Sequence, residues 1–245
     1  MNKGPLYGGT PGKVYPVTEE RAAYNEALEI YANNPDPIAI LPAQLRSEAV
    51  LESTANSFAF NLRANVPNPT NGGIMRDCEN RLDINDAFMI RELAVLFGIE
   101  PRGDTQGALV LQTFDNPEAP PLGFGAASRA IQQAYNGRLG MTVNTVGYME
   151  GLDMNSFRVV DTAQAGLHAS AGVAPLGQYQ RSAYDPKRGF RAMVPQINIS
   201  GADKSQFIVS LPEVADFGAE EGYWIVAVLL CNGLRIQNGG AYRGA

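Results

Sequence analysis

Side chains able to do acid, base or nucleophilic chemistry are few and scattered in this chain. Its one histidine, His168, sits in the run Ala163 to Ser170. A histidine base needs an orienting partner and a nucleophile within hydrogen-bond reach, and no local spacing supplies either. A loop histidine at a surface or interface is the simpler reading. Cys78 lies among charges and Cys231 ends an apolar run. They make no disulfide framework and, with one histidine, no ligand pair for zinc; Cys231 reads as a small core residue. Asp77, Glu79, Asp83 and Asp86 form the densest acidic cluster. Oxygen ligands of that sort hold Ca²⁺, but the EF-hand spacing is absent. Interleaved Arg76 and Arg81 point first to local charge pairing or a subunit contact, ahead of calcium near Asp83.

Other motifs fail on spacing. Gly8 to Val14 resembles a phosphate loop, yet it is one residue short and Lys13 is followed by valine rather than serine or threonine. Neither a nucleophile elbow nor a dinucleotide fingerprint is present. Carboxylate pairs for glycoside hydrolysis come together only in a fold, so sequence leaves them unlocated. No catalytic residue, cofactor or metal is therefore expected. One segment has the composition used to hold single strands: Tyr179, Arg181, Tyr184, Lys187, Arg188, Phe190 and Arg191 interleave basic and aromatic side chains. Arg181, Lys187, Arg188 and Arg191 are the candidates to face nucleic acid, with a subunit contact as the competing use. Asn198-Ile199-Ser200 matches a glycosylation triplet by chance.

The elements that must position these residues are short and turn-rich. The chain has 245 residues, 26 of them glycine and 16 proline, with 45% hydrophobic and 18% charged residues. That composition excludes a disordered chain, disfavours a helical bundle and favours a β-dominated fold. A net charge of -6 argues against nucleic-acid binding by the whole surface. Arginine outnumbers lysine 15 to 4, the bias found where protein surfaces meet. Met1 to Pro5 lacks the apolar region of a secretion signal, and Tyr223 to Cys231 is too short to span a bilayer as a helix. The chain reads as soluble and made in a cytoplasm.

Gly4 to Pro16 reads as an arm. Thr18, as N-cap, opens a helix carrying Tyr24, Ala27, Leu28 and Tyr31 on one face, stopped at Asn33-Asn34-Pro35. Ile38 to Leu41 is a short apolar run, and Phe58, Phe60 and Leu62 alternate as a strand. Leu82 to Ile99 fits helix or strand. Strands are expected at Ala108 to Phe114, Leu139 to Val143, Phe157 to Val160, Met193 to Ile199, Gln206 to Leu211 and Tyr223 to Leu230. A short helix is expected at Ala126 to Tyr135, and Gly166 to Gly189 reads as a long loop. Eight or nine strands with two minor helices predict a mostly β fold, a jelly-roll β-sandwich, single or compact double, with an N-terminal helix and extended terminal arms. The organisation is an arm over 1–17, a shell domain over 18–237 and a tail over 238–245.

Three segments carry a family resemblance: Glu79 to Ile90 (ENRLDINDAFMI), Tyr135 to Asn144 (YNGRLGMTVN) and Gly233 to Asn238 (GLRIQN). In order and spacing, over about two-thirds of the chain, the sequence resembles major capsid proteins of small tailless bacteriophages. The resemblance implies a jelly-roll shell protein of the virion, assembled in the host cytoplasm, and extended structure over Leu82 to Leu96. It brings no catalytic residues. The expected function is self-assembly into an icosahedral shell around a genome. The partners are further copies of the chain, minor capsid or spike proteins and weakly held nucleic acid, with any membrane involvement open. Tyr7, Pro11, Tyr15, Arg76, Arg81, Tyr242 and Arg243 are the candidate interface residues. The alternative is a carbohydrate- or receptor-binding β-sandwich of a spike or adhesin, using Tyr179, Tyr184 and Trp224, although Trp224 sits in the most apolar strand.

Overall fold

The computed structural model describes residues 19–34, 36–64, 66, 76, 78–101, 125–158, 189–218 and 222–240. Helix α1 (Glu19–Ile30) forms as the sequence predicts. Ala23, Ala27 and Tyr31 recur every four residues and are buried on one face. Leu28 does not join them. Standing about 100° round the helix from Ala27, it is 42% exposed. The buried face of α1 packs on Ile40, Ala87, Met89, Leu234 and Ile236.

Eight strands follow: β1 (Ala39–Leu51), β2 (Thr54–Asn61), β3 (Ala87–Pro101), β4 (Arg138–Val143), β5 (Val146–Asp153), β6 (Arg191–Ser200), β7 (Ser205–Asp216) and β8 (Tyr223–Gln237). A second helix, α2 (Gly125–Tyr135), precedes β4. The strands make two antiparallel four-stranded sheets, in the orders β1-β8-β3-β6 and β2-β7-β4-β5. Side chains from both sheets share one core, so the fold is a β-sandwich.

Alternation explains which sheet goes where. In β8, Ile225, Ala227, Leu229 and Cys231 point into the sandwich, while Val226, Val228 and Leu230 form a separate buried cluster on the outer face with Val50 and Leu96. A strand covered on both faces has no polar side, which is why β8 and β3 read as near-continuous apolar runs. The same double burial resolves Leu82 to Ile99 as extended structure from Ala87 onward: Phe88, Ile90, Leu93, Val95 and Phe97 enter the core, and Met89 meets α1. The second sheet alternates, with Phe207 and Val209 buried in β7 and Ser210 exposed. Phe58 links the layers through edge-on contacts with Phe60, Phe97 and Phe217 at 5.7, 6.4 and 6.1 Å between ring centroids.

The registers separate two ends. Leu51, Pro101, Arg138, Asp153, Arg191, Asp216 and Tyr223 all lie at one end, from which the connections β3 to α2 and β5 to β6 depart. The other end holds the β4–β5 and β6–β7 turns, α1 and the start of the tail. There β4 and β5 are joined by Asn144 and Thr145 at φ 50° and 73°, the left-handed pair of a two-residue hairpin turn. Asn144 is tied to the β6–β7 turn, donating Nδ2 to Asp203 at 2.8 Å and accepting the Lys204 N–H at 2.9 Å.

Several expectations are corrected. Phe157 ends a 3-10 turn, Met154–Phe157, rather than opening a strand; it is large, apolar and buried, but Asp153 caps the turn by accepting the Asn155 N–H at 3.0 Å. Strand β5 has no apolar signature because both its faces are largely exposed. Ile38 to Leu41 is the start of a 13-residue strand. The expected strand Ala108 to Phe114, and the loop as far as Arg188, lie outside the described residues.

Candidate functional site

The most ordered chemistry in the molecule is a buried network of charges on the outer face of the first sheet. Alternation along β1 sends Leu45, Ala49 and Leu51 to the core and leaves Glu48 beside Val50 on the outer face; Glu100 stands on the same face of β3. Both carboxylates are at most 1% exposed, and Arg76 spans them. Its Nη1 and Nη2 grip the two Glu100 oxygens at 2.6 and 2.9 Å. Its Nε lies 2.8 Å from Glu48 Oε2, a charge contact whose N–H does not aim at the oxygen. Arg46 meets Glu48 Oε1 from the other side at 2.7 Å. Pairing holds the Arg76 guanidinium more firmly charged than usual, the Glu100 hydrogen bonds contributing most.

Glu79 and Arg81 extend the network along the free edge of β1. Arg81 donates to both Glu79 oxygens at 2.8 and 2.9 Å and to the Val66 carbonyl at 2.7 Å. Glu79 accepts the N–H groups of Glu48 and Arg76, both at 2.9 Å. Arg46 and Asn80 exchange backbone hydrogen bonds at 2.7 and 3.0 Å, and Leu82 bonds to Leu62 near the end of β2. Residues 79–82 thus close part of the side where β1 and β2 meet, satisfying backbone groups that would otherwise template strand addition. Cys78 donates its thiol to Glu48 Oε1 at 2.8 Å, and burial followed by the Glu48 hydrogen bond raises its pKa. Burial alone pushes the Cys231 thiol well above its ordinary range.

Arg76 and Arg81, expected at a subunit contact, are therefore spent inside the chain: the Arg81 side chain has no exposure at all. The acidic cluster does not converge either. Glu79 faces Arg81, Asp83 caps the Asn85 N–H at 3.0 Å, and Asp86 binds Arg235 Nε at 2.6 Å and the Asn238 N–H at 3.1 Å. Asp77 lies outside the described residues, and among those described no group of three His, Cys, Asp or Glu side chains could hold a metal. The start of the tail is also fixed on its own chain, Gly240 donating to the Asn85 carbonyl at 2.9 Å and accepting from Ser200 Oγ at 2.7 Å.

The opposite side, β5 over β6, is differently built. Pro195 in β6 offers no N–H, and β5 is broken by two register shifts with Gly151 at φ 74°. Prolines and bulges blunt an edge against strand addition. Val194 is 91% exposed and Val146 70%, with Tyr148 also prominent. No protein-family model, curated protein or solved structure matches the chain. The surfaces must be read from their own chemistry.

Of the basic candidates, Arg191 is exposed at the start of β6 and donates Nε to the Ser156 carbonyl at 2.7 Å. Arg181, Lys187 and Arg188 lie outside the described residues, as do Tyr7, Pro11, Tyr15, Tyr242, Arg243 and His168. Trp224 is half-buried with Phe190 against the outer apolar cluster. The sequence reading missed Glu48 and Glu100. Charged residues inside otherwise apolar strands were the available signal, but their partner is remote in sequence.

Proposed function

We propose that the chain is a capsid subunit, a single jelly roll that self-assembles into an icosahedral shell around a genome. The strand order carries this reading. With strands numbered along the chain, β1-β8-β3-β6 over β2-β7-β4-β5 is the pattern made when a long ribbon, β1 to β4 paired with β5 to β8, is wrapped around the sandwich as two Greek keys. Eight strands in one pair of sheets favour the single over the double form. Jelly rolls also serve lectins and cupins, and a fold does not fix a function. The capsid reading is supported further by surface construction.

One side is partly closed by residues 79–82, whereas the β5–β6 side is blunted against strand addition yet displays Val146, Tyr148 and Val194. Such a subunit is protected from open-ended strand pairing and left with side-chain contacts, which symmetry can close into a shell. Weak contacts suffice when each subunit has several neighbours. The partners are further copies, minor capsid or spike proteins and packaged nucleic acid in a virion. Light scattering on the purified protein tests this: particles of many subunits are expected. A monomer at all salt and protein concentrations, with Tyr-dependent glycan binding, would favour the carbohydrate-binding alternative.

A further inference from the structure

We propose that the corner where β4, the 3-10 turn and the start of β6 meet binds the phosphate backbone of nucleic acid through Arg138 and Arg191. Two sets of arginines contrast among the described residues. Arg46, Arg76, Arg81 and Arg235 are all matched to carboxylates. Arg138 and Arg191 are exposed and have no carboxylate partner among the described residues. They nevertheless share one short turn. Arg138 stands opposite Asp153 in the β4–β5 register, Arg191 holds the Ser156 carbonyl at 2.7 Å, and Arg158 ends the turn with its guanidinium 5.8 Å from the Tyr135 ring centroid.

The corner is shaped for guanidinium groups. Gly151 has φ 74° and no side chain; a Cβ there would lie 3.7 Å from Arg138 Cδ and 3.9 Å from its Nη1, so the arginine stem lies along the strand at this glycine. Arg191 uses Nε on Ser156, an anchor that leaves its two terminal nitrogens for a ligand. The nearby carboxylates form no ion pair with either guanidinium among the described residues. Asp153 spends Oδ1 on the turn, and Glu150 Oε1 sits 3.6 Å from the Cβ position of Gly147, toward the β4–β5 turn. Among the described residues Arg63, Arg91 and Arg129 also form no ion pair, but they stand apart, in an isolated bridge beyond β2, on β3 and on α2. Forked donors that are charged and exposed, as those of Arg138 and Arg191 are, suit phosphate oxygens, and a local patch lets a chain of net charge -6 hold a polyanion that its whole surface repels.

The shell reading supplies only the packaged genome as the natural polyanion, so the test separates the two. Binding of a fluorescent oligothymidylate is followed by anisotropy against salt, with solution mass recorded for each variant. Arg138→Gln with Arg191→Gln removes two contacts, and the slope of log K against log salt falls by about 1.4. That corresponds to roughly 50-fold weaker binding at about 0.05 M salt. Arg91→Gln with Lys204→Gln changes the net charge equally and is expected to stay within about threefold of the parent, since both residues lie outside the corner. Arg138→Lys with Arg191→Lys keeps the charges and restores the slope, which a purely structural role for the Arg191–Ser156 bond would not allow. No oligonucleotide binding by the parent, or equal losses in the glutamine pair and its control, overturns the corner whatever the particles do. Corner-dependent binding by a protein that never assembles upholds it and removes the shell reading.

Discussion

Replacing Arg76 by methionine keeps most of the apolar stem and deletes the charge that serves two buried carboxylates. Glu100 loses both hydrogen bonds of its guanidinium partner, and no other cation pairs with it among the described residues. Glu48 keeps Arg46 and Cys78. Breaking a buried pair by removing one partner costs about 3–5 kcal/mol, chiefly because a charge is left uncompensated in the interior. With a urea m-value near 3 kcal/mol per molar, the unfolding midpoint falls by roughly 1–1.7 M. Adding Glu100→Leu removes the stranded charge, so the double variant is expected to recover about half of the loss or more. The assay is urea unfolding of unassembled subunits by circular dichroism. A loss below about 1 kcal/mol for Arg76→Met, or a double variant as unstable as the sum of its singles, would refute the claim that this network is buried and mutually compensating.

Three further outcomes follow from the same structure. Gly233→Ala places a Cβ against the Met89 carbonyl and 2.8 Å from Phe88 Cε1; the β3–β8 ladder must part, and a loss of at least about 3 kcal/mol in thermal unfolding is expected. Gly222→Ala meets open space at φ 81°, so it costs only about 1–2 kcal/mol; equal effects would contradict the close approach. Thr145→Gly relieves a β-branched residue at φ 73° and is expected to stabilise by about 1 kcal/mol, visible as a higher melting temperature. Cys78, although exposed, should react with a thiol reagent more slowly than free cysteine near pH 7.5, because its raised pKa keeps it protonated. The folded state holds that proton more tightly than the unfolded chain. Its contribution to stability is therefore complete below the ordinary thiol pKa and is lost as pH rises through the folded value. Alkylation at the free-cysteine rate would contradict the Glu48 contact.

Local patterns disclosed what local physics decides. Helix α1, the alternating residues of β2 and β4, and the three last strands were legible because burial on one face imposes a period on the sequence. Strand β1 reads short because Pro37 and Pro42 bracket the apolar run Ile38 to Leu41, and the polar residues Arg46, Ser47 and Glu48 beyond it hide the rest. In the fold Ser47 bonds to the Asn61 carbonyl at 2.9 Å, and Glu48 is matched by Arg46 on its own strand and by Arg76, 28 positions away. Strand β5 escaped because an exposed edge strand with Gly147 and Gly151 has no buried face to reveal it. Phe157 misled for the reverse reason, since a buried aromatic in a 3-10 turn carries the same signal as one in a strand. At the candidate site the interleaving of Arg76, Glu79 and Arg81 did announce charge pairing. That Arg76 reaches across a sheet to Glu48 and Glu100 is a consequence of topology, and spacing along the chain contains no trace of it.

The central claim is most directly tested by cryo-electron microscopy of the assembled protein. The account predicts closed icosahedral particles whose repeating density is one eight-stranded sandwich per subunit, with lattice contacts made by side chains of the β5–β6 side. A protein that remains monomeric under every assembly condition, or that forms open fibres through continuous strand pairing at β1, would contradict it.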